Sequence, residues 1–268
     1  MTARRPRVLA VANQKGGVGK TTTCINLGAA LAAVGTRTLI IDADPQGNAS
    51  TGLGIPAGMR KRTLYDVLME GFPLAATAVP TLVPGLWLTP SDPDLSGVES
   101  ELAAKPRRAL RLRDALDGLD ASAPFDCILI DCPPSLNLLT LNAMTAADGM
   151  LVPLQCEFFA LEGLTQLLRT IDQVKESLNP ALELQGLVLT MFDRRNGLAV
   201  QVARDVREHL GAKVYDTVIP RNVRLSEAPS HGKPALIYDL KCSGSQAYLA
   251  LAREVIGRER ALAAAPAM

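Results

Sequence analysis

The sequence predicts an α/β fold, a mostly parallel twisted sheet flanked by helices, and three observations carry that expectation. Apolar runs of strand length alternate with amphipathic stretches of helix length, the pattern of repeated βαβ units. The runs are continuous in Val, Ile and Leu, so helices should cover both faces of the strands. The first run passes directly into a glycine-rich turn that opens a helix, as a strand–turn–helix unit requires.

Taken in order, the first strand is expected at 7–13 (RVLAVAN) and the helix after the turn at 20–34. Its small-residue run LGAALAAVG permits close packing on the sheet, and Gly35 supplies a C-terminal stop. A strand at 36–42 (TRTLIID) follows. Residues 54–93 are richer in Pro and Gly and read as a surface excursion with one short helix near 64–69. Beyond it, strands are expected at 127–133, 149–155, 184–192 and 214–220, with helices at 107–119, 136–146, 160–178, 198–210 and 245–258. No linker, repeat or low-complexity tract interrupts the pattern, which implies a single domain over 1–268 with termini at 1–6 and 260–268 that fray.

At 268 residues and 48% hydrophobic content, the chain can bury a sizeable core. Its formal net charge is +1 with a pI near 7.6, so contact with a polyanion must come from a local patch. Cys24, Cys127, Cys132, Cys156 and Cys242 lie far apart, and His209 and His231 are the two histidines, a composition that speaks for reduced thiols in a cytosolic protein and against a zinc or disulfide framework. Arg4, Arg5 and Arg7 precede the run VLAVA, which is too short for a signal peptide and continues into the glycine turn. No apolar stretch approaches the roughly 18 to 20 residues of a membrane helix.

The turn reads NQKGGVGKTT from Asn13 to Thr22. It nearly matches G-x-x-x-x-G-K-[ST], a loop whose N–H groups and helix N-terminus cradle phosphates. Gly19, Lys20 and Thr21 fit the end of the pattern, but Gln14 stands where the first glycine belongs and a second lysine, Lys15, follows it. The candidate nucleotide contacts are therefore Lys15, Gly16, Gly17, Val18, Gly19, Lys20, Thr21 and Thr22. Lys20 would reach the β- and γ-phosphates of a nucleotide, and the Thr21 hydroxyl would serve Mg²⁺. A dinucleotide fingerprint competes, since Gly17-x-Gly19 follows a strand and Asp42 ends the next one. Thr22 at the third glycine position and the Lys20–Thr21 pair oppose it, and a merely structural turn is the other rival.

A second acidic element should end a neighbouring strand and hold Mg²⁺ through water, and Asp131 in CILID fits. Asp42 and Asp44 in DADPQGN form a third element, where a carboxylate would orient an attacking water while Gln46 or Asn48 touches the metal's water shell. Asp-x-Asp-Pro is also good turn chemistry, so catalysis and a turn both stay open here.

These stretches, with LIDCPPSLN, VPLQCEFFALEGL and VIPRNVRLSEAPSHGKPALIYD, resemble the deviant Walker-A (SIMIBI-type) P-loop ATPases, and among them the ParA/Soj-type chromosome partition ATPases. The likeness runs from residue 7 to about residue 258. It implies an ATPase that hydrolyses ATP to ADP and phosphate, with Lys15, Lys20 and Asp44 as catalytic residues. Lys15 would reach the partner's phosphates in an ATP-dependent homodimer, much as an arginine finger does. The resemblance further implies Pro220 and Asn222 at the adenine edge, Thr21 on Mg²⁺, and non-specific binding of double-stranded DNA through Arg195 and Arg224, with Lys233 and Lys241 as additional candidates. A ParB-type centromere-binding partner and a cytoplasmic, nucleoid-associated location belong to the same expectation.

Three relatives compete. A MinD-like membrane-associated positioning ATPase would need a bulky amphipathic anchor, which RERALAAAPAM does not supply. An iron–sulfur ATPase would need paired cysteines across a dimer axis. A biosynthetic ligase would need a second substrate motif, and none is seen. The loop begins by residue 14, so a helix-turn-helix extension and sequence-specific operator binding are not expected.

Overall fold

A computed structural model describes residues 5–120 and 123–264. Its eight-stranded sheet is built from β1 (Arg7–Val11), β2 (Thr38–Asp42), β3 (Val79–Pro80), β4 (Leu86–Thr89), β5 (Cys127–Asp131), β6 (Gly149–Gln155), β7 (Glu183–Phe192) and β8 (Val214–Pro220), in the order β3-β4-β2-β5-β1-β6-β7-β8. Every pairing is parallel except β3 with β4. The major helices are α1 (Lys20–Ala33), α2 (Arg111–Asp117), α3 (Leu138–Ala146), α4 (Ala160–Ser177), α5 (Gly197–Leu210) and α6 (Ser243–Ala264).

Strand alternation sorts the core into two layers. Val8 and Ala10 of β1, Leu39 and Ile41 of β2, and Ile128 and Ile130 of β5 face α2 to α5. Leu9, Val11, Ile40 and Leu129 face α1 and α6. Since each strand must be apolar on both faces, the continuous Val/Ile/Leu runs follow directly from the three-layer plan. Helix α1 is buried almost all round, and its closeness to β2 depends on Gly28, where an added Cβ would lie 2.8 Å from Ile40 Cδ1. Gly35 adopts φ +90° just past the helix, as a C-terminal stop requires.

The stretch 54–93 corrects the surface-excursion reading. The expected short helix is present as Leu64–Glu70, held by a Thr63/Asp66 capping box. The same stretch also contributes β3 and β4, and β4 lies inside the sheet beside β2 with Leu86, Leu88 and Thr89 buried. Only four residues long and bracketed by Pro84–Gly85 and Pro90, β4 offers too short a run to stand out. The helix expected over 107–119 begins as a 3₁₀ turn, Arg108–Leu110, before α2. At the C-terminus, α6 continues to Ala264, so helical structure extends past residue 260, where fraying was expected. Residues 1–4 and 265–268 of the expected frayed termini lie outside the described residues.

Candidate nucleotide site

Parallel sheets gather loops at the carboxyl ends of their strands, and it is there that every element of the site collects. The loop after β1 turns through two left-handed glycines, Gly17 at φ +73° and Gly19 at φ +89°, conformations that a side chain would strain. Gly16 does not need that freedom, and its nearest neighbour, Pro134 Cβ, stands 4.0 Å from an added Cβ. Asn13 braces the start of the loop, its amide donating to Pro153 O at 2.8 Å and its Oδ1 accepting from Lys15 N at 3.0 Å. Val18, buried, anchors the far side, where its carbonyl accepts from the Thr190 hydroxyl at 2.8 Å.

The two lysines occupy different environments. Lys20 is 7% exposed and folds back over the loop, with Nζ donating to Lys15 O at 3.0 Å. Burial lowers its pKa, while the charge of Asp131 pulls the other way. Lys15 stands exposed at the rim, ion-paired with Glu157 from the loop after β6.

Beneath the loop lies an acidic floor. Register places Asp131 directly beside Asp42, because β5 pairs with β2, and both point toward α1. Both carboxylate oxygens of Asp131 are buried without a well-formed hydrogen bond, although the Thr21 hydroxyl and Cys24 thiol of α1 partly offset its charge. Burial, then the charge of Asp42, drives the Asp131 pKa well up. Asp42 has partners, accepting from Ser50 N at 2.8 Å and Ser50 Oγ at 2.6 Å, yet burial still pushes it up to about 6. Two buried, poorly neutralised carboxylates next to a lysine-bearing phosphate loop suit a hydrated divalent cation, whose charge would favour their ionised forms.

Asp44 is 8% exposed and does turn work with one oxygen, Oδ1 accepting from Gln46 N at 3.0 Å. Its Oδ2 accepts no hydrogen bond among the described residues, and the side chain lines a cleft of about 530 Å³. The turn role and a free carboxylate oxygen therefore coexist. Gln46, Asn48, Gly16, Gly17, Gly19, Lys20, Thr21 and Thr22 line the same cleft, as do Pro220 and Asn222 across it. Asn222 caps the short helix Val223–Glu227, its Oδ1 accepting from Arg224 N at 2.9 Å, while Nδ2 donates to Ser243 Oγ at 2.8 Å.

Thr190, Met191 and Tyr248 also line the cleft, and reasoning from motifs passed over them. The rule that ligands sit at strand carboxyl ends points to the end of β7, where Met191 holds φ +48°, a left-handed conformation uncommon outside glycine. Asn26 was missed as well. From within α1 it donates to Thr22 O and accepts from Ala235 N, both at 2.8 Å, tying the loop helix to the chain after β8. A buried amide in an otherwise apolar helix was the available signal.

The four expected DNA contacts lie outside the cleft, on segments following β7 and β8. Arg195 is 90% exposed and grips Asp193 with two nitrogens, Nε to Oδ1 at 3.0 Å and Nη2 to Oδ2 at 2.8 Å, which holds the Asp193 carboxyl down to about 2. Arg224 pairs with Glu227 at 2.8 Å and lies 3.6 Å from Asp239. Lys233 and Lys241 are exposed. Arg221 N donates to Phe192 O at 3.4 Å, so the two arginine-bearing segments adjoin.

No helix among the described residues is long and apolar enough to cross a membrane, and they contain no cluster of three His, Cys, Asp or Glu side chains able to hold a metal.

Comparison with known proteins places this geometry. Residues 6–184 match the family described as AAA domain. The chain is 70% identical to the chromosome partitioning protein ParA of Caulobacter vibrioides, over 97% of each chain. It is 49% identical to the sporulation initiation inhibitor protein Soj of Bacillus subtilis, over 93% of this chain and 98% of that one. Among solved structures it resembles a cobyrinic acid a,c-diamide synthase from Mycobacterium smegmatis with bound ADP and magnesium, at TM-score 0.83 and 38% identity over 95% of this chain and 96% of that one. With the phosphate loop, the paired strand-end carboxylates and these relatives in agreement, the chain belongs to the ParA/Soj family of chromosome-partitioning P-loop ATPases.

Proposed function

We propose that this chain is an ATP-driven partition switch in which ATP joins two copies, the joined form binds DNA without sequence preference, and hydrolysis, stimulated by a ParB-type partner, releases it. The observation that carries the reading is the division of labour between the lysines. Lys20 is committed to its own loop, whereas Lys15 sits at the rim in an exchangeable surface pair, where it can serve a second subunit. An exposed pair of this kind is worth about 0 to 1 kcal/mol, so redirecting Lys15 costs little.

In this reading the loop N–H groups from Gly16 to Thr21 and Lys20 hold the phosphates of ATP, and Pro220 and Asn222 border the base. Thr21 and Asp131 are the residues that would hold Mg²⁺, Asp131 through water. The ion supplies charge neutralisation at the phosphates when bound. Asp44 Oδ2 holds a water for attack while Oδ1 keeps the turn in place, which fixes the oxygen's direction. Lys15 from the partner stabilises charge that spreads over phosphoryl oxygens in the transition state. Arg195 and Arg224 exchange their carboxylate partners for DNA phosphates, and a dimer doubles the number of such contacts. Lys233 and Lys241 add to that field.

Capture on immobilised duplex DNA with ATP, with ADP and without nucleotide, across a salt series, tests the proposal. Retention in ATP alone that fades as salt rises is the expected result. Equal retention in all three conditions, or none in any, overturns it.

A further inference from the structure

Three loops meet at the rim of the cleft, following β5, β1 and β6, which are adjacent in the sheet. The middle loop carries Lys15, and the loop after β6 carries Glu157, its ion-pair partner. Immediately after Glu157 come Phe158 and Phe159, 73% and 66% exposed, packed edge to face on each other with ring centroids 5.0 Å apart. Neither phenylalanine belongs to the core layers or lines the cleft. Adjacent aromatics left in water contribute little to folding, whereas a rigid, largely apolar pair is the composition of an interface anchor.

The charges beside the pair indicate what covers it. A two-fold interface brings one patch against an identical patch, so it must be complementary to itself. Here a cation and an anion stand next to each other at the rim, and rotation about a two-fold lets Lys15 of each copy leave its own Glu157 and face the other subunit. A rim that carries both signs side by side meets that requirement of self-complementarity. We propose that Phe158 and Phe159 form the apolar anchor of the ATP-dependent homodimer, closing over the rim where Lys15 crosses between subunits. This rests on the nucleotide-dependent dimer proposed above and adds the residues that hold it together.

The test uses the full-length chain with Asp44→Ala to slow hydrolysis, compared with the same chain carrying Phe158→Ser and Phe159→Ser. Sedimentation velocity with ATP and Mg²⁺ should show the parent dimerising and the phenylalanine variant weakened by roughly 30-fold or more, the loss expected for an interface anchor. Binding of a fluorescent ATP analogue to the monomer and the melting temperature without nucleotide should match the parent, and Phe158→Tyr with Phe159→Tyr should restore the dimer. A serine variant that dimerises as tightly as the parent overturns the inference and leaves the dimer intact, including the case where that variant has lost only a response to another protein. A parent that stays monomeric in ATP overturns the dimer reading itself, and this inference falls with it.

Discussion

The carboxyl edge of the sheet carries charge in two contrasting ways. Over β2, β5 and β1 the charged groups beneath the phosphate loop are buried and incompletely satisfied, with Asp131 lacking a well-formed partner, Asp42 raised to about 6 and Lys20 depressed by burial. Over β7 and β8 they are exposed and already paired, Arg195 to Asp193 and Arg224 to Glu227. Desolvated charges cost free energy in the empty protein and fix in advance the shape and sign of what must bind. Exposed pairs cost almost nothing and specify almost nothing, so they suit an extended polyanion met in any register. The first region suits recognition of one small molecule, and in the function proposed above the second would hold a long one weakly at many positions.

Removing Lys20 should produce the largest effect, because it deletes the buried cation on which the first region depends. Lys20→Ala is expected to weaken ATP binding by at least about 100-fold, the loss of charge-assisted hydrogen bonds in a water-poor site. Isothermal titration with Mg²⁺-ATP checks it. Affinity within a few-fold of the parent would mean that the two regions do not differ as argued, and that the loop binds something else.

Next comes the exposed region, where the effect should appear in salt dependence. Arg195→Glu with Arg224→Glu should leave nucleotide affinity unchanged while DNA capture in ATP is lost. With Arg195→Ala and Arg224→Ala, capture should weaken and the slope of log affinity against log salt become shallower by roughly 3 to 4, as expected when two contacts per subunit disappear from a dimer. Unaltered slope in the alanine variant would move the DNA surface elsewhere.

What could be read in the sequence divides along the same line as sequence separation. The phosphate loop is contiguous, so ten residues announce strand, turn and helix together, and Gly17 and Gly19 adopt the backbone that their identity suggests. Asp131 was legible as a strand-end acid, but its confrontation with Asp42 depends on β5 lying beside β2, which no local pattern encodes. The Lys15–Glu157 pair joins residues 142 positions apart, and the Asn26–Ala235 clamp joins residues 209 apart. Strand β4 was illegible for a different reason: four residues between turn formers carry too little periodicity, and its place inside the sheet is fixed by β2. Arg195 and Arg224 were reached through family likeness, and their acid partners became visible only with the fold.

The last expected effect concerns the empty protein and isolates the cost of the buried region. Asp42 titrates near 3.8 when unfolded and about 6 when folded, so between those values the folded state holds more protons than the unfolded state. Stability must then fall as pH rises through that window, and Asp131, raised for the same reason, adds to the fall. A shift of this size at one buried site corresponds to on the order of 2 to 3 kcal/mol. Asp66, Asp126 and Asp193 are lowered by their arginine and backbone partners, so they act oppositely and only below their unfolded value, where stability drops as pH falls. Denaturant titrations without nucleotide or divalent cation should therefore show stability declining from about pH 4 to about pH 6, the window that follows from the Asp42 shift. Asp42→Asn keeps an oxygen to accept from Ser50 and should remove the Asp42 share of that decline, leaving the part that belongs to Asp131. Mg²⁺-ATP should offset it in the parent, because a bound cation favours the ionised carboxylates. A flat parent curve would show that the acidic floor is already neutralised in the empty protein, and the contrast between the two regions would lose its energetic basis.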